Sequence, residues 1–374
     1  MTDTSSGNQQ SDNKPYVVLA LQGGGALGAF QAGAYQALSK KGYEPNWAAG
    51  ISIGAINASI IAGNERKEDR SDRLSDFWHT VGGHLDWWER VPNYSERFTN
   101  LWKLWMSMAG GVPGFFRPNF IPPPFAPRNS PQATSLYNVE RLRTKLQRLV
   151  NFHFLSDDKS REPVRLSLGA TRVYGGLAEV FQNFHCPEDV ELNCYPTTIT
   201  IDHILASGAN APWFPGVVID NQLYWDGGFT SNSAVKHIIP QLKYLSQPED
   251  RQVVIFSIDL WGVYDRPPRT FEEVCWRIKQ IEYSSGVQND VDYGKDFLHR
   301  ERIQALHRRP IDIVHVCYQC DPSEIPYGDG LFSRTEIDRR IEDGYAKVQS
   351  VFEQKPLPWQ RQGSDDTEVK VHSF

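Results

Sequence analysis

The sequence lacks several features that mark particular protein classes. Its five cysteines are few and odd in number, so they do not indicate a disulfide framework. A net charge of −6 offers no basic surface for nucleic acid. The polar residues 1–14 contain no apolar export segment, and no apolar run elsewhere is long enough to span a bilayer. These absences predict a soluble, cytoplasmic protein with reduced thiols that does not bind nucleic acid.

One cysteine pair has the spacing of a metal or redox site. Cys317 and Cys320 are separated by two residues, but neither a second such pair nor a His-x-x-x-His pattern accompanies them. We therefore interpret these thiols as packing residues. We expect no metal ion and no cofactor.

A nucleophile elbow is the first feature that the sequence does contain. In residues 48–57 a short apolar run, interpreted as a strand, leads directly into Gly-x-Ser-x-Gly and a helical pattern. Such a turn lifts Ser52 out of the backbone, and Gly50 and Gly54 flank it because a Cβ there would clash. The helix directs its positive end at Ser52, which favours developing negative charge. Ser52 is therefore the candidate nucleophile.

A glycine-rich turn precedes the elbow. An apolar strand predicted over residues 16–21 is followed by Gly23-Gly24-Gly25-Ala26-Leu27-Gly28 and then by a helical pattern. This layout directs free backbone N–H groups at an anion. Dinucleotide binding would require an acidic residue at the end of the second strand, but Glu44 precedes that strand. We favour an oxyanion hole, in which the glycine N–H groups face the oxygen formed when the serine attacks an ester.

Residues 77–135 form an insert rich in aromatic residues and proline. Apolar residues share one face of a helix predicted over residues 95–108, and the prolines between residues 113 and 131 exclude regular structure. We favour an insertion packed on the core, and the alternative is a lid or a lipid-facing entrance.

The remaining chain predicts further alternating strands and helices. Helices are predicted over residues 139–150, 200–207 (capped by Thr200), 271–281, 297–306 and from a capping box at Ser333–Glu336; strands over 164–170, 178–184, 217–219, 223–225, 252–258 and 311–316.

A serine nucleophile needs a base, and two arrangements compete. The hairpin over residues 217–225 ends in Asp226-Gly227-Gly228, which is either a simple turn or a strand-end general base. A Ser–Asp dyad would use Asp226 alone. A triad would use an acid such as Asp259 and a histidine such as His315, although His315 shares a strand face with apolar residues. His203 and His237 also stay open as candidates.

Three motifs together resemble those of the patatin-like phospholipase family: the glycine turn, the serine elbow and Asp226-Gly227-Gly228, in that order. The segment from Ala206 to Pro215 is similar to a further family segment. Over residues 16–258 the resemblance implies a three-layer α/β/α fold with a central, mainly parallel sheet. It also implies a Ser52–Asp226 dyad without histidine, an oxyanion hole and hydrolysis of lipid acyl esters. Leu27 departs from the family, since many members carry Lys or Arg there.

The resemblance also suggests a division of the chain. We predict a disordered tail over 1–14, a catalytic domain over 15–260, an extension packed on it over 261–355 and a flexible tail over 356–374. The extension resembles one of unknown function in some bacterial members.

The predicted partner is a lipid or other acyl-ester substrate, with transient contact at a membrane surface as an addition. The alternatives are hydrolysis or transfer of another acyl ester or thioester, including a storage polyester, and an inactive lipid-binding module.

Overall fold

A computed structural model describes residues 14–82, 96–156, 164–185, 193–245, 251–262, 267–303, 309–319, 328–360 and 369–374. The tail predicted over residues 1–14 lies outside these ranges except for its last residue, and so do residues 83–95 of the aromatic insert, Cys186 and Cys320.

The described residues form the following strands and helices. The strands are β1 (Tyr16–Leu21), β2 (Trp47–Ile51), β3 (Arg117–Pro118), β4 (Tyr137–Asn138), β5 (Arg165–Arg172), β6 (Leu177–Gln182), β7 (Cys194–Pro196), β8 (Val217–Ile219), β9 (Gln222–Asp226), β10 (Val253–Asp259), β11 (Ile311–Cys317) and β12 (Val369–Ser373). The helices are α1 (Ala29–Lys40), α2 (Ile53–Ala62), α3 (Lys67–Val81), α4 (Glu96–Gly110), α5 (Pro131–Thr134), α6 (Glu140–Leu149), α7 (Ile201–Ser207), α8 (Val235–Ile238), α9 (Phe271–Ile303) and α10 (Arg334–Glu353).

The main sheet has the strand order β12-β11-β10-β1-β2-β5-β6-β7, and β9 pairs with β5 beside this path. Neighbours from β12 to β5 are parallel, whereas β6 and β9 run antiparallel to β5. Strands β1 and β10 are buried along their whole length, which explains their continuous apolar sequences. The mixed, mostly parallel sheet matches the predicted class.

Helices cover both faces of this sheet. One apolar cluster joins alternate residues of β1, β10 and β11 to α1, α2 and α10. A second cluster joins the other residues of those strands to α8 and the turn after it. The result is a three-layer α/β/α fold, as predicted. In the described part of the chain, no helix has the length and apolar character needed to cross a bilayer.

The register of neighbouring strands brings three motifs to one edge of the sheet. The glycine turn follows β1 and the serine elbow follows β2, so both lie at the carboxyl ends of adjacent parallel strands. On β5, Gly169 pairs with Ile51 and Ala170 pairs with Asp226. Strands β2 and β9 thus follow one another along the same edge of β5, which brings Ser52 and Asp226 together.

Helices α1 and α10 cross in backbone contact. A Cβ on Gly33 would lie 1.8 Å from the Ile341 carbonyl oxygen, and a Cβ on Gly344 would lie 2.0 Å from that of Phe30. Only glycine at these two positions permits the close approach. The C-terminal helix is thus seated directly on the helix that follows the glycine turn.

Several predictions about the C-terminal third are wrong. The segment predicted over 271–281 and residues 297–303 of the one predicted over 297–306 belong to one helix, α9, which also includes Gly286 and Gly294, while residues 304–306 lie outside the described residues. Helix α10 starts after Ser333, but the Ser333 side chain makes no capping hydrogen bond. Part of the predicted flexible tail is strand β12, which pairs with β11. The division at residue 260 stays a prediction, because β11 extends the sheet across it.

The cysteines also differ from the prediction in one respect. Cys194 is disulfide-bonded, whereas Cys275 and Cys317 have free thiols. The sequence offered no means of separating these cases, since odd cysteine counts do not specify pairing.

Candidate functional site

Ser52 lies at the sharp turn between β2 and α2. Its backbone has φ 55° and ψ −123°, a conformation that non-glycine residues rarely adopt. The turn is closed by backbone contact, since a Cβ on Gly50 would lie 2.2 Å from the Gly54 carbonyl oxygen. The elbow geometry predicted for this segment is therefore present, and the N-terminus of α2 is directed at Ser52.

A buried hydroxyl orients the serine backbone. The Ser52 N–H donates to Ser207 Oγ at 3.1 Å, and the Ser207 hydroxyl donates to the Gly169 carbonyl oxygen at 2.6 Å. Ser207 is fully buried at the end of α7. This contact links the elbow to β5 and α7, so the serine is held from two neighbouring elements.

The glycine turn lies beside the serine. A Cβ on Gly23 would lie 3.0 Å from the Ser52 Cβ. Gly25 has φ 56°, and a Cβ there would meet the Asp329 carbonyl oxygen at 2.4 Å, so only glycine fits. Among the described residues, none accepts a hydrogen bond from the N–H of Gly24 or Gly25. These two groups are placed to receive an anion.

Two side chains fix the opposite, carbonyl side of this turn. Asn232 Nδ2 and Trp261 Nε1 donate to the Gly23 carbonyl oxygen at 3.1 Å and 2.8 Å. The Gln22 side chain accepts from the Leu260 N–H at 2.6 Å and donates to the Tyr283 carbonyl oxygen at 3.1 Å. These contacts hold the Gly23 carbonyl oxygen and the residue before the turn in place.

Asp226 is a buried carboxylate that lines the same cavity as Ser52. The Gly228 N–H donates to Asp226 Oδ1 at 2.8 Å. Burial raises the pKa of Asp226 to about 6, and hydrogen bonding by the Ser52 side chain and by the Gly228 N–H opposes that rise. Gly227 packs against β5, since a Cβ there would lie 2.5 Å from the Gly169 carbonyl oxygen. The carboxylate is ionised at neutral pH yet able to accept a proton.

The predicted triad partners meet each other away from Ser52. Asp259 Oδ2 lies 3.1 Å from His315 Nε2, and their ligand atoms and that of Cys317 lie within 4.8 Å of one another, close enough to hold a metal ion. No histidine is among the described residues that line the cavity containing Ser52.

The other two candidate histidines have packing roles. His203 Nδ1 accepts from the Thr200 N–H at 3.0 Å and so helps to cap α7. The helix therefore begins after Thr200, the residue predicted to cap it. Burial lowers the pKa of His203 and lowers that of His237 to about 4, so both are neutral at pH 7.

Dinucleotide binding would need the Glu44 carboxylate to bind a ribose, but this side chain is bound within the fold. Glu44 accepts hydrogen bonds from Tyr35 and from Arg70, at 3.0 Å and 2.9 Å. It is engaged within the fold next to α1 and α3. Leu27, where charge was expected from the family, is fully buried in the core.

A cavity of about 630 Å³ contains Ser52, Asp226 and the glycine turn. Most of its wall is apolar or aromatic. These wall residues include Ile53, Ile56, Leu104, Met108, Phe115, Phe116, Tyr137, Leu142, Ile204, Leu205, Trp213, Phe214 and Phe332. A few polar groups complete it, among them Asn232, Lys279, Tyr283 and Asp329. The volume and the apolar wall suit an acyl chain.

The aromatic insert contributes both to the core and to the surface. Phe77 and Trp78 are core residues of α3, and Phe115 and Phe116 are buried on the cavity wall. Phe120 and Phe125 are 99% and 80% exposed. The described part of the insert thus packs on the core as favoured, while its proline-rich segment presents aromatic side chains to solvent.

Several cavity residues carried no signal in the sequence. Asn232, Trp261, Lys279 and Asp329 belong to no motif, and the last three lie beyond the predicted catalytic segment or at its edge. Trp261, Lys279 and Asp329 reach the site because the end of β10, the first part of α9 and the turn before α10 lie beside the glycine turn.

Comparison with known proteins identifies the family of the chain. Residues 19–239 match the family described as patatin-like phospholipase, and residues 292–365 match one described as patatin phospholipase. No curated protein matches the chain.

Two solved structures are similar over most of the chain. VipD from Legionella pneumophila is 14% identical with a TM-score of 0.38, over 90% of this chain and 66% of that one. The ExoU–SpcU complex of the type III secretion system of Pseudomonas aeruginosa is 14% identical with a TM-score of 0.29, over 90% and 53%. The chain thus spans less than two thirds of either length. From the match over residues 19–239, the chain belongs to the patatin-like phospholipase family.

Proposed function

We propose that the protein is a serine acyl-ester hydrolase of lipids, with Ser52 as nucleophile and Asp226 as general base. The observation that carries the proposal is that Ser52, on its strained turn, and the buried carboxyl group of Asp226 line the same, mostly apolar cavity. Membership of the patatin-like phospholipase family supports the lipid class of substrate.

In the first half of the reaction, Asp226 takes the Ser52 proton while Oγ attacks the ester carbonyl carbon. The carbonyl oxygen becomes an oxyanion, which the N–H groups of Gly24 and Gly25 and the N-terminus of α2 stabilise. When the intermediate collapses, the ester C–O bond breaks and Asp226 returns the proton to the departing alcohol. An acyl-serine and a free alcohol result.

In the second half, water replaces the alcohol. Asp226 accepts a water proton as the hydroxide oxygen attacks the acyl carbon, and the same N–H groups stabilise the second oxyanion. Collapse releases the fatty acid, and the proton on Asp226 returns to Ser52 Oγ. The apolar wall holds the acyl chain throughout. Because Asp226 carries out every proton transfer, the proposal assigns no step to a histidine or a metal ion.

A fluorophosphonate probe tests the proposal. Such a probe phosphonylates activated serines, because the serine oxygen displaces fluoride from phosphorus, and peptide mass spectrometry should place the adduct on Ser52. Ser52→Ala is the negative control, and Asp226→Asn should slow labelling because the serine proton then has no acceptor. A folded wild-type protein that stays unlabelled would favour an inactive lipid-binding module.

A further inference from the structure

The cavity has one polar end, and two of its charged residues form an ion pair. Lys279 Nζ lies 2.8 Å from Asp329 Oδ2, and their side chains are 34% and 26% exposed. Of the described residues that line the cavity, Lys279 alone carries a positive charge. Tyr283 lies one turn further along α9 and lines the cavity as well. The pair is therefore partly withdrawn from solvent and faces the space that contains Ser52.

This ion pair is fixed beside the glycine turn. The Asp329 carbonyl oxygen contacts Gly25, which prevents any side chain at that position. On the other side, the Tyr283 carbonyl oxygen accepts from Gln22, the residue that precedes the turn. The Trp261 ring packs against Tyr283 and Trp276, with centroids 4.9 Å and 5.1 Å apart. The pair thus has a defined position next to the N–H groups assigned to the oxyanion.

The layout of the cavity assigns the two parts of an ester to different walls. An acyl chain fits the apolar wall, so the alcohol part of the substrate must face the remaining, polar wall. A bare hydroxyl there could not compensate for separating Lys279 from Asp329. An anionic group alone would gain from Lys279 but be repelled by Asp329. A group with adjacent negative and positive charges complements both side chains.

We propose that Lys279 and Asp329 form a head-group subsite for zwitterionic phospholipids, in which Lys279 binds the phosphate and Asp329 binds the ammonium group. This inference rests on the proposed function and specifies its substrate class. The subsite lies on segments outside the matched residues 19–239, so the C-terminal third determines substrate choice while the motifs determine chemistry.

Binding of short-chain lipids tests the subsite without turnover. The full chain carrying Ser52→Ala is titrated calorimetrically with dihexanoyl phosphatidylcholine, dihexanoyl phosphatidylglycerol and dihexanoylglycerol, each below its micellar concentration. We expect the phosphatidylcholine to bind about tenfold more tightly than either of the others, because only it pairs both charges. Dihexanoyl phosphatidylethanolamine should behave like the choline lipid.

Each of two substitutions should weaken a different one of these preferences. Lys279→Met should lower the ratio of phosphatidylcholine to dihexanoylglycerol affinity about tenfold, and Lys279→Arg should restore it. Asp329→Asn should lower the ratio of phosphatidylcholine to phosphatidylglycerol affinity by a similar factor. Lys145→Met is the matched control, because the Lys145–Asp76 pair has the same 2.8 Å separation but lies outside the cavity.

Equal affinities for the three lipids, or an equal loss for all three in Lys279→Met, would overturn the subsite. The proposed function fails separately, by absence of the fluorophosphonate adduct on wild-type Ser52. If binding depends on charge but Ser52 is not labelled, the subsite is supported and the proposed enzyme activity fails. If Ser52 is labelled but binding shows no charge preference, the enzyme activity is supported and the subsite fails.

Discussion

Two buried aspartates, each at the end of a strand of the main sheet, are similar in burial but differ in their suitability as a catalytic base. Asp226 ends β9 and Asp259 ends β10, and each is 5% exposed. Burial raises the pKa of both. A serine side chain lowers the pKa of each: Ser52 for Asp226, and Ser257, whose hydroxyl donates to Asp259 Oδ1 at 3.0 Å, for Asp259.

The difference lies in what else surrounds the two serine–aspartate pairs. Ser52 sits on a strained turn beside free N–H groups and lines a cavity, whereas Ser257 lies within β10 and is buried. Asp259 Oδ2 lies 3.1 Å from His315 Nε2, whereas no ion pair with a basic side chain is found for Asp226 among the described residues. A buried carboxylate and a hydroxyl do not make a reactive pair by themselves; access and a site for the developing charge are also needed.

The largest expected effect compares the two carboxylates directly. Asp226→Asn should lower kcat/KM for p-nitrophenyl butyrate by about two to four orders of magnitude, because the amide cannot accept the serine proton. Asp259→Asn should keep the rate within a few-fold, since it lies outside the cavity. Circular dichroism checks the folding of both variants. If His315→Ala or Asp259→Asn proved as inactive as Ser52→Ala while folded, a triad would replace the dyad.

The pH profile separates the carboxylate from an imidazole. Activity requires ionised Asp226, so log kcat/KM should fall with unit slope below about pH 6. An imidazole would titrate near the same pH, but its pKa falls on warming while that of a carboxylate changes little. The profile is therefore measured at two temperatures. An acid limb that moves with temperature would contradict assignment to Asp226.

The contribution of Asp226 to the free energy of unfolding should fall with rising pH, over the range in which activity rises. The pKa of Asp226 rises from 3.8 to about 6 on folding, so the folded state binds more protons between these values. The contribution of Asp226 to stability is thus present below pH 3.8 and is lost as pH rises through about 6. Asp226→Asn removes this loss and should raise the free energy of unfolding by about 1–3 kcal/mol at pH 8.

Urea unfolding at pH 8 and pH 4 measures the effect, and the advantage of Asp226→Asn should vanish at the lower pH. Asp259→Asn is the paired control. We expect no gain from it, because the substitution also removes the contact with His315. An equal gain in both variants would mean that the two sites do not differ electrostatically.

The smallest effect concerns a histidine close to the site. His203→Ala removes the acceptor of the Thr200 N–H and so weakens α7, which carries Ser207. We expect a loss of about 1 kcal/mol in stability and less than a tenfold loss in kcat/KM. Thermal unfolding and the ester assay measure the two quantities, with His237→Ala as comparison. An activity loss as large as that of Asp226→Asn would give His203 a chemical role.

The sequence predicted those parts of the fold that depend on local pattern. Continuous apolar strands such as β1, glycine turns and Gly-x-Ser-x-Gly have local causes, so their positions could be inferred together with the α/β class. The predicted division of α9 into two segments is wrong, because the helix continues through Gly286 and Gly294, which each cost about 1 kcal/mol in helix propensity. Strand β12 has five residues and its partner β11 lies over fifty residues away in sequence, so local pattern could not predict this pairing.

The site divides in the same way. The roles suggested for Ser52 and Asp226 came from motifs, and they stay predictions although the geometry brings the residues together. Trp261, Lys279 and Asp329 reach the cavity through long-range topology, which one sequence does not encode locally. The sequence also could not show that His203 and His237 are neutral, because the burial that lowers their pKa depends on distant elements.

The close contact between α1 and α10 at Gly33 and Gly344 bears on whether parts of the chain can fold on their own. Without α10, the backbone of α1 around Gly33 would face water along a surface shaped for another helix, with no side chain to cover it. Loss of β11 would in addition leave β10 as an unpaired edge prone to association with other chains. We therefore expect a truncated protein ending near residue 260 to aggregate on expression, so that neither matched stretch can be transplanted as an independent module.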